Sequence, residues 1–131
     1  MGTVLKGHGV GKGIAEGEAL VTGELVSNDN LSSGTYHEKG HEIDGVEVKG
    51  KVLVFPTGKG GSFVAHSLMG AKMGGVAPVA MVYDRVDSRI VDSTLLAGIP
   101  SVHSTEKSVV KSIKTGYRVR VDSDKGIVEI L

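Results

Sequence analysis

The sequence contains no cysteine and no tryptophan among its 131 residues, and it has only two phenylalanines and three tyrosines. Without cysteine, the chain cannot form a disulfide or a cysteine-ligated zinc or iron–sulfur site of its own. Because aromatic residues are scarce, the core has to be built from aliphatic side chains. The abundance of valine favours buried strands.

Net charge is also lacking, since fifteen basic residues balance fifteen acidic ones. The chain therefore does not have the excess of positive charge that would predict contact with nucleic acid. No apolar run approaches the ~18 residues of a membrane-spanning helix, and the N-terminus does not have the pattern of a signal peptide. We therefore expect a single cytoplasmic domain over residues 1–131, with neither nucleic acid nor a membrane as partner.

Glycine, in contrast, is abundant, at 20 of 131 residues. The most informative glycine-rich stretch is Gly58-Lys59-Gly60-Gly61-Ser62, which follows the apolar run Val52–Phe55 and Pro56. A helical pattern from Phe63 to Met73 comes next, so the stretch predicts a strand, a tight loop and a helix. Glycines let a backbone approach a bound group closely, and the N–H groups at a helix start favour negative charge.

Periodicity and turn residues predict an alternation of strands and helices along the chain. Strands are expected at 14–21, 46–55, 79–82, 100–102, 117–121 and 127–131, and helices at 63–73, from 87 or 88 to 97, and from 104 or 105 to 115. Residues 7–13 are expected to be a flexible segment and residues 24–43 a long surface loop. Parallel crossovers in the middle and antiparallel strands at both ends indicate a mixed α/β layered domain.

Three established motifs do not fit the glycine-rich segments. Ile14 stands where the third glycine of a dinucleotide-binding loop belongs, Lys59 lacks the following Ser or Thr of a Walker A loop, and Ser62 is not in a nucleophile elbow. Ser62 itself has two compatible interpretations. It is a favoured helix N-cap, worth ~1 kcal/mol, and it is a candidate base whose alkoxide Lys59 and the loop N–H groups would stabilise.

The histidines give weaker signals. His37 and His41 have the spacing of metal ligands on a helix, but they fall in the polar loop, and we expect both to be solvated. His66 follows Ser62 by about one helical turn, so Ser/His chemistry is conceivable, although no third member of a catalytic triad is indicated.

Several segments follow one another in an order that resembles the small subunit of the aconitase X family, in particular its archaeal branch. They are Gly13–Leu20, Ile43–Gly45, Gly50–Pro56, Gly58–Ser62, Ala77–Pro78 and Gly98–Pro100. The resemblance extends from about Gly13 to Val102. The Gly-Lys-Gly-Gly-Ser loop is its most specific part.

This resemblance implies a mixed-sheet, three-layer β/β/α swivelling domain like that of aconitases. It implies a heterodimer or higher assembly with a large catalytic subunit that carries a 4Fe–4S cluster, with no cofactor bound by this chain alone. The implied hydro-lyase reaction dehydrates (R)-mevalonate 5-phosphate to trans-anhydromevalonate 5-phosphate, for archaeal isoprenoid synthesis. Ser62 would be the proton acceptor, in an active site formed between the subunits.

The resemblance also leaves the substrate and its contacts open. Lys59 and the amides of Gly60 and Gly61 are candidates to hold a substrate anion, which is either the carboxylate or the phosphate. Val26–Asn30 lacks the aromatic residue and glycine pair that many family members have in this loop. A bacterial branch of the family dehydrates cis-3-hydroxyproline, which is the alternative substrate.

A phosphohistidine carrier domain is the alternative from another functional class. The stretch Gly60–His66, followed by Gly98-Ile99-Pro100, loosely resembles the mobile domain of phosphoenolpyruvate-using enzymes, with His66 as the phosphorylated residue. That motif places serine directly before histidine, whereas Ala65 stands there in this chain. An interaction module without chemistry is a third possibility.

Overall fold

A computed structural model describes residues 2–27, 30–31, 33–59 and 64–131, with the backbone alone for 64–66. Its described residues form eight strands and three helices. The strands are β1 Thr3–Lys6, β2 His8–Val10, β3 Ile14–Val21, β4 Val52–Phe55, β5 Ala80–Tyr83, β6 Ser101–His103, β7 Arg118–Asp122 and β8 Ile127–Ile130. The helices are α1 Val64–Met73, α2 Ser88–Ala97 and α3 Val109–Ser112. The strands form one mixed sheet in the order β1-β8-β7-β3-β4-β5-β6-β2.

Strand β3, whose bounds are those predicted, joins the two halves of this sheet. Its residues Ile14–Glu18 pair antiparallel with β7, and Ala19–Val21 pair parallel with β4. Gly17 lies beside this change of partner, where a Cβ would stand 2.8 Å from the backbone oxygen of Gly50. From β4 the sheet continues in parallel through β5 and β6, as the alternating pattern predicts.

Strand β4 contributes to a separate hydrophobic core on each of its faces. Val52 and Val54 pack in a core shared by strands from both halves of the sheet, whereas Leu53 and Phe55 pack in a core with α1 and α2. All four residues of β4 are fully buried, which is typical of parallel strands covered on both faces. The two halves of the one sheet therefore share a core on one face of β4, where α3 also packs, and α1 and α2 cover the other face. The predicted fold class is confirmed.

Helix α2 begins and ends at the residues predicted from the sequence. The Asp87 carboxylate accepts hydrogen bonds from the N–H groups of Arg89 at 2.9 Å and Ile90 at 3.4 Å. Gly98 ends the helix in the left-handed conformation, with φ 69°. An N-cap carboxylate and a C-terminal glycine satisfy backbone groups that a helix leaves without intrahelical partners.

Helix α1 buries Leu68 and Ala71. It ends at Met73 as predicted, and its predicted first residue, Phe63, lies outside the described residues. The third helix is much shorter than expected and begins after Ser108, so the prediction of a cap at Ser104 or Thr105 is wrong.

The side chain of Asp84 explains the start of α3. Its carboxylate accepts hydrogen bonds from the Ser108 hydroxyl and from the Val109 N–H, both at 2.7 Å. Asp84 lies directly after β5, far from this helix in sequence, so a local pattern could not reveal the contact. Val109 and Ile113 of this segment are buried.

The strand predicted over 46–55 is also too long. Only Val52–Phe55 form it, because turns precede it, with Gly45 at φ 80° and Gly50 at φ 72°. These positive φ values favour glycine, which has no Cβ. The remaining pairing in this segment is a single bridge between Thr35 and Glu47.

Residues 7–13 are not the flexible segment that their glycines suggested. Strand β1 pairs with β8, and β2 pairs with β6, so one continuous stretch contributes both ends of the sheet. A Cβ on Gly9 would lie 1.8 Å from the backbone oxygen of Ser123. Glycine here allows a close backbone approach, which is its other structural use.

The loop expected at residues 24–43 contains no helix or strand in its described part, but it is not simply a surface loop. Four of its five apolar residues, Val26, Leu31, Tyr36 and Ile43, are buried in the core on the helix side of the sheet, whereas Leu25 is exposed. Because these residues are separated by polar ones without a regular period, the sequence pattern did not predict their burial.

Two glycine substitutions should change stability in opposite directions. Gly9→Ala should lower the free energy of unfolding by about 3 kcal/mol, because the methyl group would force the strand away from Ser123. Gly70→Ala, at an exposed position of α1 with nothing within 4 Å, should raise it by ~0.5–1 kcal/mol. Urea unfolding of both variants beside wild type measures these changes, and equal stability of all three would contradict the close approach at Gly9.

Candidate active site

A cleft of about 510 Å³ lies at the carboxyl ends of three neighbouring parallel strands. Its walls include Gly23–Leu25 after β3, Pro56 and Lys59 after β4, and Arg85 after β5, with residues 38–41 completing it. The carboxyl ends of parallel strands are the usual place for ligands in open α/β sheets. The start of the glycine-rich loop therefore lies where this fold class binds ligands.

A second cleft, of about 440 Å³, lies beside Ile14, Pro78 and Pro100. Lys72 is its single charged lining residue among those described, and the sequence predicts no chemistry there. The cleft beside Lys59 has several charged groups and is the better candidate for a site.

Backbone hydrogen bonds fix the base of the glycine-rich loop to the loop after β3. The Val26 N–H donates to the Thr57 carbonyl at 3.2 Å, and the Lys59 N–H donates to the Val26 carbonyl at 3.0 Å. A Cβ on Gly58 would lie 2.6 Å from Cγ1 of Ile90, so bare backbone packs against α2. The parallel pairing of β3 and β4 thus continues into the wall of the cleft.

The segment after β5 is held to the same loop. The N–H groups of Asp84 and Arg85 donate to the Pro56 carbonyl at 3.0 and 2.9 Å, and the Thr57 hydroxyl donates to the Arg85 carbonyl at 2.8 Å. The backbone of Arg85 is therefore fixed on both sides, while its side chain is exposed at the cleft.

Lys59 forms an ion pair with Glu38 across the cleft. The other carboxylate oxygen of Glu38 accepts hydrogen bonds from the Tyr36 hydroxyl at 2.6 Å and from the Asn30 amide at 3.4 Å. The hydrogen bond from Lys59, followed by that from Tyr36, lowers the pKa of Glu38. The carboxylate is thereby kept ionised at neutral pH.

Tyr36 supports Glu38 from the core. Its side chain is fully buried, and its hydroxyl accepts a hydrogen bond from the Ser27 N–H at 3.1 Å. Burial, together with the hydrogen bond to Glu38, raises the pKa of Tyr36 to about 12. The tyrosine therefore stays protonated and donates to Glu38, which connects the buried part of the loop to Lys59.

His41 is buried, so the expectation that it is solvated is wrong. Its Nδ1 accepts a hydrogen bond from the Ile43 N–H at 3.1 Å, and its Nε2 lies 2.8 Å from the Leu25 carbonyl. These partners fit the neutral ring with its proton on Nε2. The ring also contacts Tyr36, with centroids 4.7 Å apart. His37 is exposed, as expected.

Of the predicted site residues, the structure places Lys59 in the cleft. Ser62, Gly60 and Gly61 lie outside the described residues, and of His66 only the backbone in α1 is described. Tyr36, Glu38 and Arg85 were missed. The one available signal was a tyrosine two residues before a glutamate in a chain that is poor in aromatics.

No group of three or more His, Asp or Glu side chains suited to a metal ion occurs in the described part of the chain. Since the sequence also has no cysteine, its residues do not fit an iron–sulfur cluster. No helix in the described ranges is long and apolar enough to cross a membrane.

The layered mixed sheet, with a charged cleft at the carboxyl ends of its parallel strands, defines a swivel-type α/β domain. The chain belongs to the aconitase X swivel domain family, because the model of that family matches residues 4–130. The family recognised from the sequence is thus confirmed.

Curated relatives match along nearly the whole chain. The chain is 40% identical to the phosphomevalonate dehydratase small subunit of Methanocella arvoryzae, over 96% of this chain and 98% of that protein. It is 38% identical to the protein of the same name from Archaeoglobus fulgidus, over 92% of each. Both proteins have almost the same length as this one, so the similarity is not limited to one motif.

Solved structures match equally completely. The crystal structure of Thermococcus kodakaraensis aconitase X in its holo-form has a TM-score of 0.92 and 33% identity, over 99% of both chains. A solution NMR structure of a UPF0107 protein has a TM-score of 0.87 and 35% identity, over 98% of this chain and 99% of that one.

Replacing Glu38 should change how stability depends on pH. Folding lowers the pKa of Glu38, so the ionised side chain stabilises the folded state fully at pH values above its ordinary pKa of 4.5. This contribution is lost as the pH falls through the lower pKa of the folded state. Glu38→Gln should therefore be less stable than wild type at pH 7, by about 1 kcal/mol for a partly exposed pair, and the difference should shrink below pH 4.5.

Urea unfolding at a series of pH values measures this difference. Glu47→Gln is the matched control, since Glu47 is exposed and has no ion pair within the described ranges. A difference between wild type and Glu38→Gln that stayed constant from neutral to acid pH would contradict the ionised pair.

Proposed function

We propose that the chain is the small subunit of a two-subunit hydro-lyase that dehydrates (R)-mevalonate 5-phosphate to trans-anhydromevalonate 5-phosphate. The observation that carries this proposal is the similarity, over nearly the full length of both chains, to curated proteins named phosphomevalonate dehydratase small subunit. The reaction belongs to the archaeal mevalonate pathway of isoprenoid synthesis, and we place the protein in the cytoplasm.

A large subunit is the partner in this proposal. The residues of this chain do not fit a metal cluster, so we assign the 4Fe–4S cluster of the family to that subunit. The departure of the hydroxyl group is likewise assigned to the large subunit, and this chain alone should be inactive. Its own contribution is to remove a proton and to hold the substrate.

The proton to be removed is on the carbon next to the substrate carboxylate. In our proposal, Ser62 takes this proton while the hydroxyl group leaves the neighbouring carbon, so that a double bond forms and one water is lost in total. A proton next to a carboxylate is weakly acidic, which is why a positioned base matters. The support for this assignment is that Lys59, three residues before Ser62 in the sequence, lines the cleft.

Lys59 and the amides of Gly60 and Gly61 would hold one of the two substrate anions. Lys59 already pairs with Glu38, so its ammonium has been oriented before any substrate binds. An ammonium has three donors, and the pair with Glu38 leaves others for a substrate oxygen. Glycine amides next to a helix start suit the same anion.

Replacing Ser62 tests the function and the base together. Co-expression with a candidate large subunit without oxygen, followed by an assay for loss of mevalonate 5-phosphate, should show turnover by wild type. Ser62→Ala should assemble normally but lower kcat by ~100- to 10,000-fold, the usual contribution of a positioned base. Ser112→Ala, a partly exposed serine in α3, is the control and should keep full activity.

Other outcomes of this assay separate the alternatives. Full activity of Ser62→Ala would reduce that residue to a helix cap. Activity on cis-3-hydroxyproline, without activity on mevalonate 5-phosphate, would keep the reaction type but change the substrate. Turnover by the small chain alone would contradict the need for a partner, and phosphorylation of His66 by phosphoenolpyruvate and its kinase domain would support the carrier.

If Lys59 mainly binds an anion, Lys59→Met should raise KM by roughly tenfold and change kcat less. The change removes a cation and also leaves the Glu38 carboxylate without its partner. The double variant Lys59→Met/Glu38→Gln restores neutrality of the pair, and its KM should lie between those of Lys59→Met and wild type. Unchanged kinetics in the single variant would remove Lys59 from the site.

A further inference from the structure

The charges of the cleft are not all available to a substrate. Three cations, Lys39, Lys59 and Arg85, line it together with two carboxylates, Glu24 and Glu38. Lys59 and Glu38 form an ion pair, so their opposite charges exert little net field on a group farther away. The attraction for an anion must therefore come from the remaining cations, because a neutral pair offers hydrogen bonds but little net field.

Arg85 differs from the other two cations in how it is held. Both its backbone N–H and its carbonyl are bonded to the base of the glycine-rich loop, at Pro56 and Thr57. Its guanidinium has no ion pair in the described ranges, and the residue is exposed. Lys39, in contrast, is in an exposed turn next to Gly40, which has φ 85° and nothing packed against it.

The geometry points to Arg85 as the residue that binds the phosphate group of the substrate, which leaves the Lys59 loop to the carboxylate. This inference rests on the proposed function. In the proposed function the base acts next to the carboxylate. Lys59 lines the cleft three residues before Ser62, so we assign the Lys59 side of the cleft to that end of the substrate. The phosphate is at the other end of a short carbon chain, and Arg85 occupies the neighbouring strand end, after β5.

The chemistry of the side chain favours this assignment. A guanidinium presents planar donors that match two phosphate oxygens at once, and it is charged at every working pH. With its main chain fixed at two points, Arg85 loses less freedom on binding than a residue on a mobile loop would. The cleft volume of about 510 Å³ is within the usual range for small-molecule sites.

The kinetic test uses the two-subunit complex with Arg85→Gln, Arg85→Lys and a matched control. Arg85→Gln should raise KM for mevalonate 5-phosphate by roughly 10- to 100-fold with a smaller change in kcat, as expected when a charged hydrogen-bond donor is lost. Arg85→Lys should recover part of this loss, because it keeps the charge but not the paired donors. Arg118→Gln removes the same charge on β7 and should behave as wild type. Wild-type KM in Arg85→Gln would overturn the inference.

A binding test decides the same question without turnover. Calorimetric titration of the complex with inorganic phosphate should show at least tenfold weaker binding in Arg85→Gln than in wild type or Arg118→Gln. Titration with mevalonate, which has the carboxylate but no phosphate, should give equal affinities in all three. Weaker mevalonate binding with unchanged phosphate binding would assign Arg85 to the carboxylate and overturn the inference.

The two tests also separate this inference from the proposed function. If the wild-type complex does not dehydrate mevalonate 5-phosphate, the proposed function fails, and the phosphate titration still decides the role of Arg85. If the complex is active while Arg85→Gln binds phosphate as wild type does, the function stands and the inference fails.

Discussion

The backbone pairing between Val26 and residues 57–59 is the interaction on which the cleft depends. It extends the parallel contact of β3 and β4 beyond the sheet, so that the walls of the cleft inherit the rigidity of a strand pair buried on both faces. Strand β5 adds a third attachment through Pro56. Loops of this kind are usually the least constrained parts of a domain. Here their bases are fixed, and freedom is left to the side chains that point into the cleft.

The same arrangement explains why a carboxylate lies next to a lysine in the cleft that we propose binds the substrate anions. Glu38 is held by Tyr36, which is fully buried and stays protonated, so the position of the carboxylate is set by the core. Lys59 is then oriented by Glu38 instead of sampling solvent. A long, flexible cation gains a defined direction, at the cost of its net charge. In our inference, Arg85, whose backbone is fixed just after β5, supplies the charge that this pair lacks.

Much of the fold follows from local signals in the sequence. The bounds of β3, the cap and the glycine stop of α2, and the doubly buried β4 and β5 all reflect patterns within a few residues. The errors have a different origin. The start of α3 is set by a hydrogen bond to Asp84, and the 24–43 loop buries single apolar residues separated by polar ones. Position 9 must be glycine because the backbone of Ser123 lies against it. Each of these depends on a contact between residues distant in sequence. For the candidate site, Lys59 could be recognised from its loop, whereas Glu38 and Arg85 reach the cleft through contacts of their loops with residues distant in sequence.

The way in which residues 3–10 complete the sheet has a consequence for aggregation. Strands at the rim of a sheet present unpaired backbone groups that can recruit another chain. In this molecule both rim strands, β1 and β2, are short and belong to one uninterrupted stretch with Gly7 between them. One segment of chain therefore shields the hairpin strand β8 and the parallel strand β6 at the same time. Loss or displacement of that segment would expose two templates for intermolecular pairing at once, so the solubility of the whole domain depends on its N-terminal residues.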